Sequence, residues 1–264
     1  MKLITIIVLF ISAFTLSGQT RYAKIIDFDG VPQGARQIVP YGDEYFVSYY
    51  QVCINRAGNL VEVCGGLLKI DDLASIADSN LIREFSVSFN SVLADDTRDK
   101  LYFCGEPNID NNYAQEFFLG EVNPGNLSEK KFKSYKIPIE QQINYFQTAS
   151  TMFNEGLFLG GTSQIKDQNK VTTIGIYCND KLSLDTFWVI DLGISSILRS
   201  SYKDVNNRLV LHIASQIGIT RYSHILKFDT SFQQVWHWSS EVSNNQQLPY
   251  GCQLSDGKTL VAMT

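Results

Sequence analysis

Five times in this chain a polar, turn-forming cluster runs straight into a short apolar strand, and the copies are almost evenly spaced. Gly42-Asp43-Glu44 precedes Tyr45-Phe46-Val47, Arg98-Asp99-Lys100 precedes Leu101-Tyr102-Phe103, and Asn154-Glu155-Gly156 precedes Leu157-Phe158-Leu159. Asn206-Asn207-Arg208 then precedes Leu209-Val210-Leu211, and Asp256-Gly257-Lys258-Thr259 precedes Leu260-Val261. Counted from Tyr45, Leu101, Leu157, Leu209 and Leu260, the steps are 56, 56, 52 and 51 residues. A period of about fifty in an all-strand pattern marks a β-propeller with one blade per repeat. The expected architecture is all-β: four-stranded antiparallel blades, about four complete and a fifth in part. The repeats fall near residues 35–87, 88–143, 144–193 and 194–246, with 247–264 as the partial fifth.

The fourth repeat displays the parts of a blade. Ile197–Tyr202, Leu209–Ala214, Tyr222–Phe228 and Val235–Trp238 read as successive strands separated by turn residues. Third strands end on Asp or Asn in every complete repeat: Asp71, Asn123, Asn179 and Asp229. Those side chains hydrogen-bond the backbone of a turn and tolerate left-handed conformations. An aromatic follows each, at Phe85, Phe132, Trp188 and Trp236, giving the outer strand apolar area to press on the next sheet. Trp188 and Trp236 are expected at equivalent outer-strand positions of neighbouring blades.

This combination of turn, apolar strand, Leu226-Lys227-Phe228-Asp229 ending and Val235-Trp236 outer strand resembles the secreted repeat propellers of bacteria. Kelch-like and quinoprotein-like groups belong there, and Asp256-Gly257-Lys258-Thr259-Leu260-Val261-Ala262 looks like the short repeats of a third group. The resemblance spans roughly residues 35–264 and implies a fold, not a function, because such propellers serve as enzymes, adhesins and scaffolds alike. Adjacent cysteines and a recognisable ligand set for a quinone cofactor do not occur, so no cofactor is expected.

The first residues read as an export signal. Lys2 supplies a charged start, Leu3–Leu16 is apolar except for Thr5, Ser12 and Thr15, and Ser17-Gly18 offers small residues for cleavage. The run is shorter than the roughly twenty apolar residues of a membrane-spanning helix. Residues 1–19 are therefore set aside as a signal peptide and residues 20–264 as the propeller, secreted or periplasmic and not inserted in a membrane. Removing Lys2 takes the net charge from −5 to about −6. With no basic run, the electrostatic footprint of a nucleic-acid binder is missing.

Five cysteines in an oxidising compartment invite pairing. A two-residue turn at Gly58-Asn59 would set Cys53 directly opposite Cys64, close enough for a disulfide. Cys104, Cys178 and Cys252 lie in different repeats without an evident partner. Tyr22–Asp27 reads as an outer strand without its blade, and Met263-Thr264 fall inside the second strand of the fifth repeat, as expected of a fragment of a longer protein.

No catalytic or metal site emerges. His212, His224 and His237 sit on successive strands of one blade, but His237 lies between two tryptophans on the outermost strand rather than converging inward. Asn108-Ile109-Asp110-Asn111-Asn112 opens like a calcium loop and then fails, with Tyr113 where glycine is needed and Leu119 where the bidentate Glu belongs. No nucleophile elbow occurs, and the pairs Asp71-Asp72 and Asp95-Asp96 fall at turns. The longest connections carry Asn108, Asp110, Asn112, Tyr113, Tyr145, Phe146 and Tyr250, a mixture of amides and aromatics suited to sugar or protein contacts. The expectation is an exported, non-catalytic scaffold that binds a protein or carbohydrate partner. The alternative is a propeller enzyme acting on polysaccharide, which requires two buried carboxylates converging at the ring mouth.

Overall fold

A computed structural model describes residues 33–54, 61–71, 75–82, 87–107, 116–136, 142–165, 170–193, 195–242, 250–253 and 259–262. Among these residues every regular element is a β-strand. The first sheet runs β1 (Gln33–Tyr41), β2 (Glu44–Ile54), β3 (Val61–Ile70) and β4 (Ile76–Ile82); the second runs β5 (Val87–Asp95), β6 (Lys100–Pro107), β7 (Glu116–Asn123) and β8 (Asn126–Lys136). The third contains β9 (Gln142–Phe153), β10 (Gly156–Ile165), β11 (Val171–Cys178) and β12 (Leu184–Ile190), and the fourth β13 (Ser195–Lys203), β14 (Leu209–Ile217), β15 (Thr220–Phe228) and β16 (Gln234–Val242). A pair, β17 (Tyr250–Gln253) and β18 (Thr259–Ala262), begins a fifth. Each complete sheet is an antiparallel meander of four strands. The third and fourth join through one parallel contact, Val171 beside Ser195.

The first strands of successive sheets lie side by side: β1 against β5, β5 against β9, β9 against β13, and β13 against β17. The sheets therefore radiate from a common axis, as propeller blades do. Alternation puts two apolar sets on each sheet, and stacking buries both. Phe46 and Leu67 meet Leu101, Phe103 and Leu127 between the first two blades. Tyr102, Cys104, Phe117 and Leu119 meet Leu157, Ile174 and Cys178 between the second and third. Phe153 and Phe158 meet Leu198, Leu211, Leu226 and Phe228 between the third and fourth.

The turns between third and fourth strands are built alike in the first, third and fourth blades, whereas in the second Asn123 pairs directly with Asn126 across a tighter turn. Asp229 accepts the N–H groups of Ser231 and Gln233 on its side chain, each at 2.9 Å, while its own N–H donates to Gln233 O. Asn179 does the same with Lys181 and Ser183 at 3.0 Å, and Asp71 receives the N–H of Ser75. The fourth residue of the two described turns is left-handed, Leu182 at φ 56° and Phe232 at φ 58°. Each points its side chain back into the preceding blade. Leu182 joins the core of the second and third blades, and Phe232 lies 4.9 Å from the rings of Tyr177 and Trp188.

This turn geometry corrects the tryptophan register. Trp188 faces Gly175 and Trp238 faces Ile225, both steps of fifty residues, whereas Trp236 faces Lys227. Trp238, not Trp236, is the equivalent of Trp188, because both strands start at a fixed distance from the turn residue, Asn179 or Asp229. Trp188 is half-buried, over a glycine where an added Cβ would lie 2.7 Å from the indole, while Trp236 is 43 % exposed with Lys227 Nζ 5.5 Å from its ring centre. Phe132 lies half-buried on β8, and Phe85 falls outside the described residues.

The cysteine register also differs from expectation. Cys53 faces Glu62, and Cys64 faces Gln51, so the two cysteines are diagonal rather than opposed. Cys64 is buried and disulfide-bonded, and its partner's side chain lies outside those described. Cys104 and Cys178 are buried thiols outside any disulfide. Residues 22–27 and 263–264 fall outside the described residues.

Candidate functional site

Each first strand of the four complete blades breaks its ladder with the second strand. The β1–β2 register shifts between Ala35 and Gln37, leaving Arg36 as the extra residue. The β5–β6 register shifts between Phe89 and Ser91 around Asn90, and β13–β14 between Leu198 and Ser200 around Arg199. In the third blade the ladder is interrupted between Tyr145 and Ala149 of β9, opposite Gly161. Arg36, Asn90 and Arg199 each stand five residues before the residue that begins the next turn, Tyr41, Asp95 and Asp204. A bulge bends its strand, adds twist and frees one residue from pairing, which is why bulges re-aim side chains at functional sites. Here they sit on the strands nearest the axis, at one level of the ring.

The bulges of the first two blades are tied together. Ser91 Oγ donates to Gln37 Oε1 at 2.7 Å and Val92 N–H donates to the same oxygen at 3.2 Å. Gln37 and Ser91 each directly follow the extra residue of their strand, so one amide spans two blades at the level of the bulges.

Arg199 is the bulge residue whose side chain is described. It is half-buried, its Nε is enclosed, and no hydrogen bond or ion pair reaches it among the described residues. Ser201 Oγ, two residues along β13, is also enclosed, without a partner among the described residues. The contrast with other cations is plain: Arg98 holds Asp95 at 3.0 Å, Lys69 holds Glu44 at 2.8 Å, and Lys227 reaches Asp204 at 3.4 Å. An enclosed N–H without a hydrogen-bond partner is costly.

The loop residues expected to form a binding face divide. Asn108, Asp110, Asn112 and Tyr113 lie outside the described residues. Tyr145 and Phe146 are not in a loop: both lie on β9, Tyr145 opposite Thr162. Tyr250 likewise opens β17 opposite Ala262. These aromatics therefore belong to first strands, in the same layer as the bulges. The sequence carried a signal for the bulges in the constant step from extra residue to turn, but strand pairing is needed to see that the residue is extra.

The histidines split between the two faces of the fourth blade. Ser215 Oγ lies 2.7 Å from His224 Nε2, and His224 Nδ1 lies 3.1 Å from His237 Nε2, a hydrogen-bonded chain running from the interior to an exposed ring. Burial, then the nearby His237, hold the His224 pKa below the usual histidine value. His212 occupies the other face beside Tyr202, fully enclosed, with neither ring nitrogen partnered among the described residues. Burial pushes its pKa down to about 4. The three rings do not converge.

Two buried carboxylates, Asp95 and Asp204, are engaged in turns. Asp204 accepts the N–H groups of Asn206 and Arg208 at 2.9 and 3.0 Å. Asp95 accepts from Thr97 and Arg98; burial raises its pKa, but these hydrogen bonds outweigh it and hold the group below the usual range. Both sit where the first strand turns into the second, at the opposite end of the strands from the β6–β7 and β14–β15 connections. A cleft of about 390 Å³ beside the second blade is lined by Lys100, Glu121, Glu129 and Lys131. Its charges answer one another, Lys100 and Lys131 meeting Glu121 at 2.7 and 3.7 Å while Asn123 and Asn126 donate to Glu129.

No protein-family model and no curated protein matches the chain. Among solved structures it is similar to a protein of unknown function from Bacteroides caccae, at 12 % identity and a TM-score of 0.48, over 75 % of this chain and 61 % of that one. It is also similar to Zg3597, a family 117 glycoside hydrolase of the marine bacterium Zobellia galactanivorans, at 12 % identity and a TM-score of 0.44, over 86 % of this chain and 76 % of that one. The chain thus spans less than two thirds of the length of the Bacteroides caccae protein.

Proposed function

We propose that this protein is an exported β-propeller that binds a glycan at the axis of its ring and performs no chemistry on it. The observation that carries this reading is the repeated bulge, which sets Arg36, Asn90 and Arg199 at one level on the strands nearest the axis. A ring of first strands is also a rigid place to hold a ligand, since each strand is hydrogen-bonded to its own blade and packed against the next. Hydrolysis of a glycosidic bond requires two carboxyl groups over the substrate. The buried carboxylates described, Asp95 and Asp204, are occupied by turns instead.

The test is a binding screen of the full chain against a panel of defined oligosaccharides, read by calorimetry, with Asn90→Trp as the blocking variant. Binding that Asn90→Trp abolishes, without release of reducing ends on long incubation, is the expected result. Failure to bind any saccharide, or binding indifferent to Asn90→Trp, would remove the axial site. Sequencing the N-terminus of the secreted product checks export: it should begin near Gly18.

A further inference from the structure

We propose that the outer strand of the second blade is a binding surface for an anionic polysaccharide, a polymer with sulfate or carboxylate groups along its length. This surface lies on the rim of the ring and is independent of the axial site. β8 carries Lys130, Lys131, Lys133 and Lys136. The outer strands of the other complete blades, β4, β12 and β16, carry no lysine or arginine. Interruption by Phe132, Ser134 and Tyr135 hides the four as a basic run in the sequence, and the strand lines them up. At about 3.3 Å per residue they extend over roughly 20 Å. Alternation sends Lys131 and Lys133 to one face and Lys130 and Lys136 to the other, so positive charge flanks the strand on both sides. Lys131, Lys133 and Lys136 are exposed, Lys131 over 84 % of its side chain.

The strand is anchored while its cations stay at the surface. Phe132 packs against the core between the first and second blades, and Tyr135 stacks on Phe117 at 5.0 Å and donates to Leu182 O. Nearby carboxylates offset part of the charge. Glu121 is recessed at 18 % exposure, with Lys100 at 2.7 Å and Lys131 at 3.7 Å, and Glu129 accepts from Asn123 and Asn126. Glu116 faces Lys136 in register. β8 itself still carries four lysines against Glu129, in a chain whose net charge is −5. Lysine is a point charge on a flexible stem, suited to several loose contacts with a densely charged polymer rather than to one shaped pocket. A nucleic acid would stack its bases on exposed rings, and a folded protein would need an aromatic anchor. On β8 both aromatic rings are used in the packing of the blades instead. Lysines also guard sheet edges against pairing with other chains. That role alone would ask for them on β4, β12 and β16 as well.

Dextran sulfate, carboxymethyl dextran and neutral dextran of one length separate the sources of the anion on a common backbone. Calorimetry on the full chain should show at least one charged polymer binding and neutral dextran failing, with affinity falling as salt is raised. The triple variant Lys131→Gln, Lys133→Gln, Lys136→Gln should lower that affinity about tenfold, the combined loss of three exposed ion pairs of ordinary strength. A second triple, Lys181→Gln, Lys203→Gln, Arg208→Gln, removes the same charge from exposed positions elsewhere and should lower it less than about threefold. Equal losses in the two variants would mean that binding follows net charge, and would overturn the proposal. So would failure of both charged polymers to bind. Affinity unchanged in the β8 variant would overturn it too, and self-association of that variant in size-exclusion chromatography would then identify the lysines as edge guards. A single-stranded oligonucleotide bound more tightly than either charged polysaccharide would assign the rim to nucleic acid instead.

Discussion

At the scale of single residues, the same amino acid carries different weight according to the face it occupies. Trp188 is wedged among Phe158, Phe232 and Gly175, whereas Trp236 stands 43 % exposed. Trp188→Ala should cost about 2–4 kcal/mol in urea unfolding, somewhat below the full range for a buried aromatic, and Trp236→Ala less than about 1 kcal/mol. Equal losses at the two positions would mean that the strand register is wrong. His212 gives a pH signature. Its folded pKa, about 4, lies below the unfolded value of 6.5, so between those limits only the unfolded chain takes up the proton. Stability should therefore fall by up to roughly 3 kcal/mol as pH drops from about 6.5 to 4, and this contribution should be flat above that window. His212→Leu should remove that part of the slope, which denaturant titrations across the window would read. Residue identity alone revealed neither point. The sequence places His212, His224 and His237 on successive strands, yet which face each occupies follows from register, and one residue of slip exchanges the faces.

At the scale of elements, what the sequence disclosed was punctuation. Asp71, Asn179 and Asp229 mark the ends of third strands because their side chains close a turn, and each strand does end there. The four strands of the fourth blade follow the alternation of apolar residues with small shifts at their ends. Pairing was less legible. The Cys53–Cys64 opposition failed because the hairpin pairs Cys53 with Glu62, and Tyr145 and Phe146 looked like loop residues because a bulged strand loses strict alternation. The proposed axial site depends on those bulges, so it shared their obscurity. The left-handed wedge residue was invisible for the opposite reason: nothing in composition asks for Phe232 at φ 58°. That conformation costs about 1 kcal/mol or more for any residue with a Cβ, and the ring offsets it by filling the space among Phe153, Tyr177 and Trp188. Phe232→Ala should cost about 2–4 kcal/mol. Phe232→Gly should cost no more than Phe232→Ala, reversing the usual order, because glycine relieves the left-handed strain that alanine keeps. Unfolding curves showing the glycine variant clearly worse would mean that the turn is not held in that conformation.

At the scale of the molecule, stability resides largely between sheets, since a blade cannot bury its own two faces and the three larger core clusters each draw on two neighbours. The interface of the second and third blades contains two buried thiols outside any disulfide, Cys104 on β6 and Cys178 on β11. Burial, and then the charge of Asp185, push the Cys178 pKa up to about 12, so almost none of it is thiolate at neutral pH. Thiolate is the reactive form, so alkylation must wait until the interface opens. Cys104 is similarly enclosed, at 6 % exposure. If the two blades separate only as part of a cooperative unfolding event, both thiols should react with iodoacetamide together, at one rate. That rate should rise in parallel when Leu182→Ala removes the wedge that the third blade sends toward Tyr102 and Phe117. If the second blade instead peels away independently, Cys104 and Cys178 still become exposed together, but Trp188 fluorescence keeps its native value while they react. Mass spectrometry of the labelled chain, taken alongside Trp188 emission in a variant lacking Trp236 and Trp238, separates these modes. Because Phe232 clasps the third blade to the fourth as Leu182 clasps it to the second, the expected result is simultaneous loss of both signals. Rapid labelling of either thiol in the fully native protein would contradict the packed interface itself.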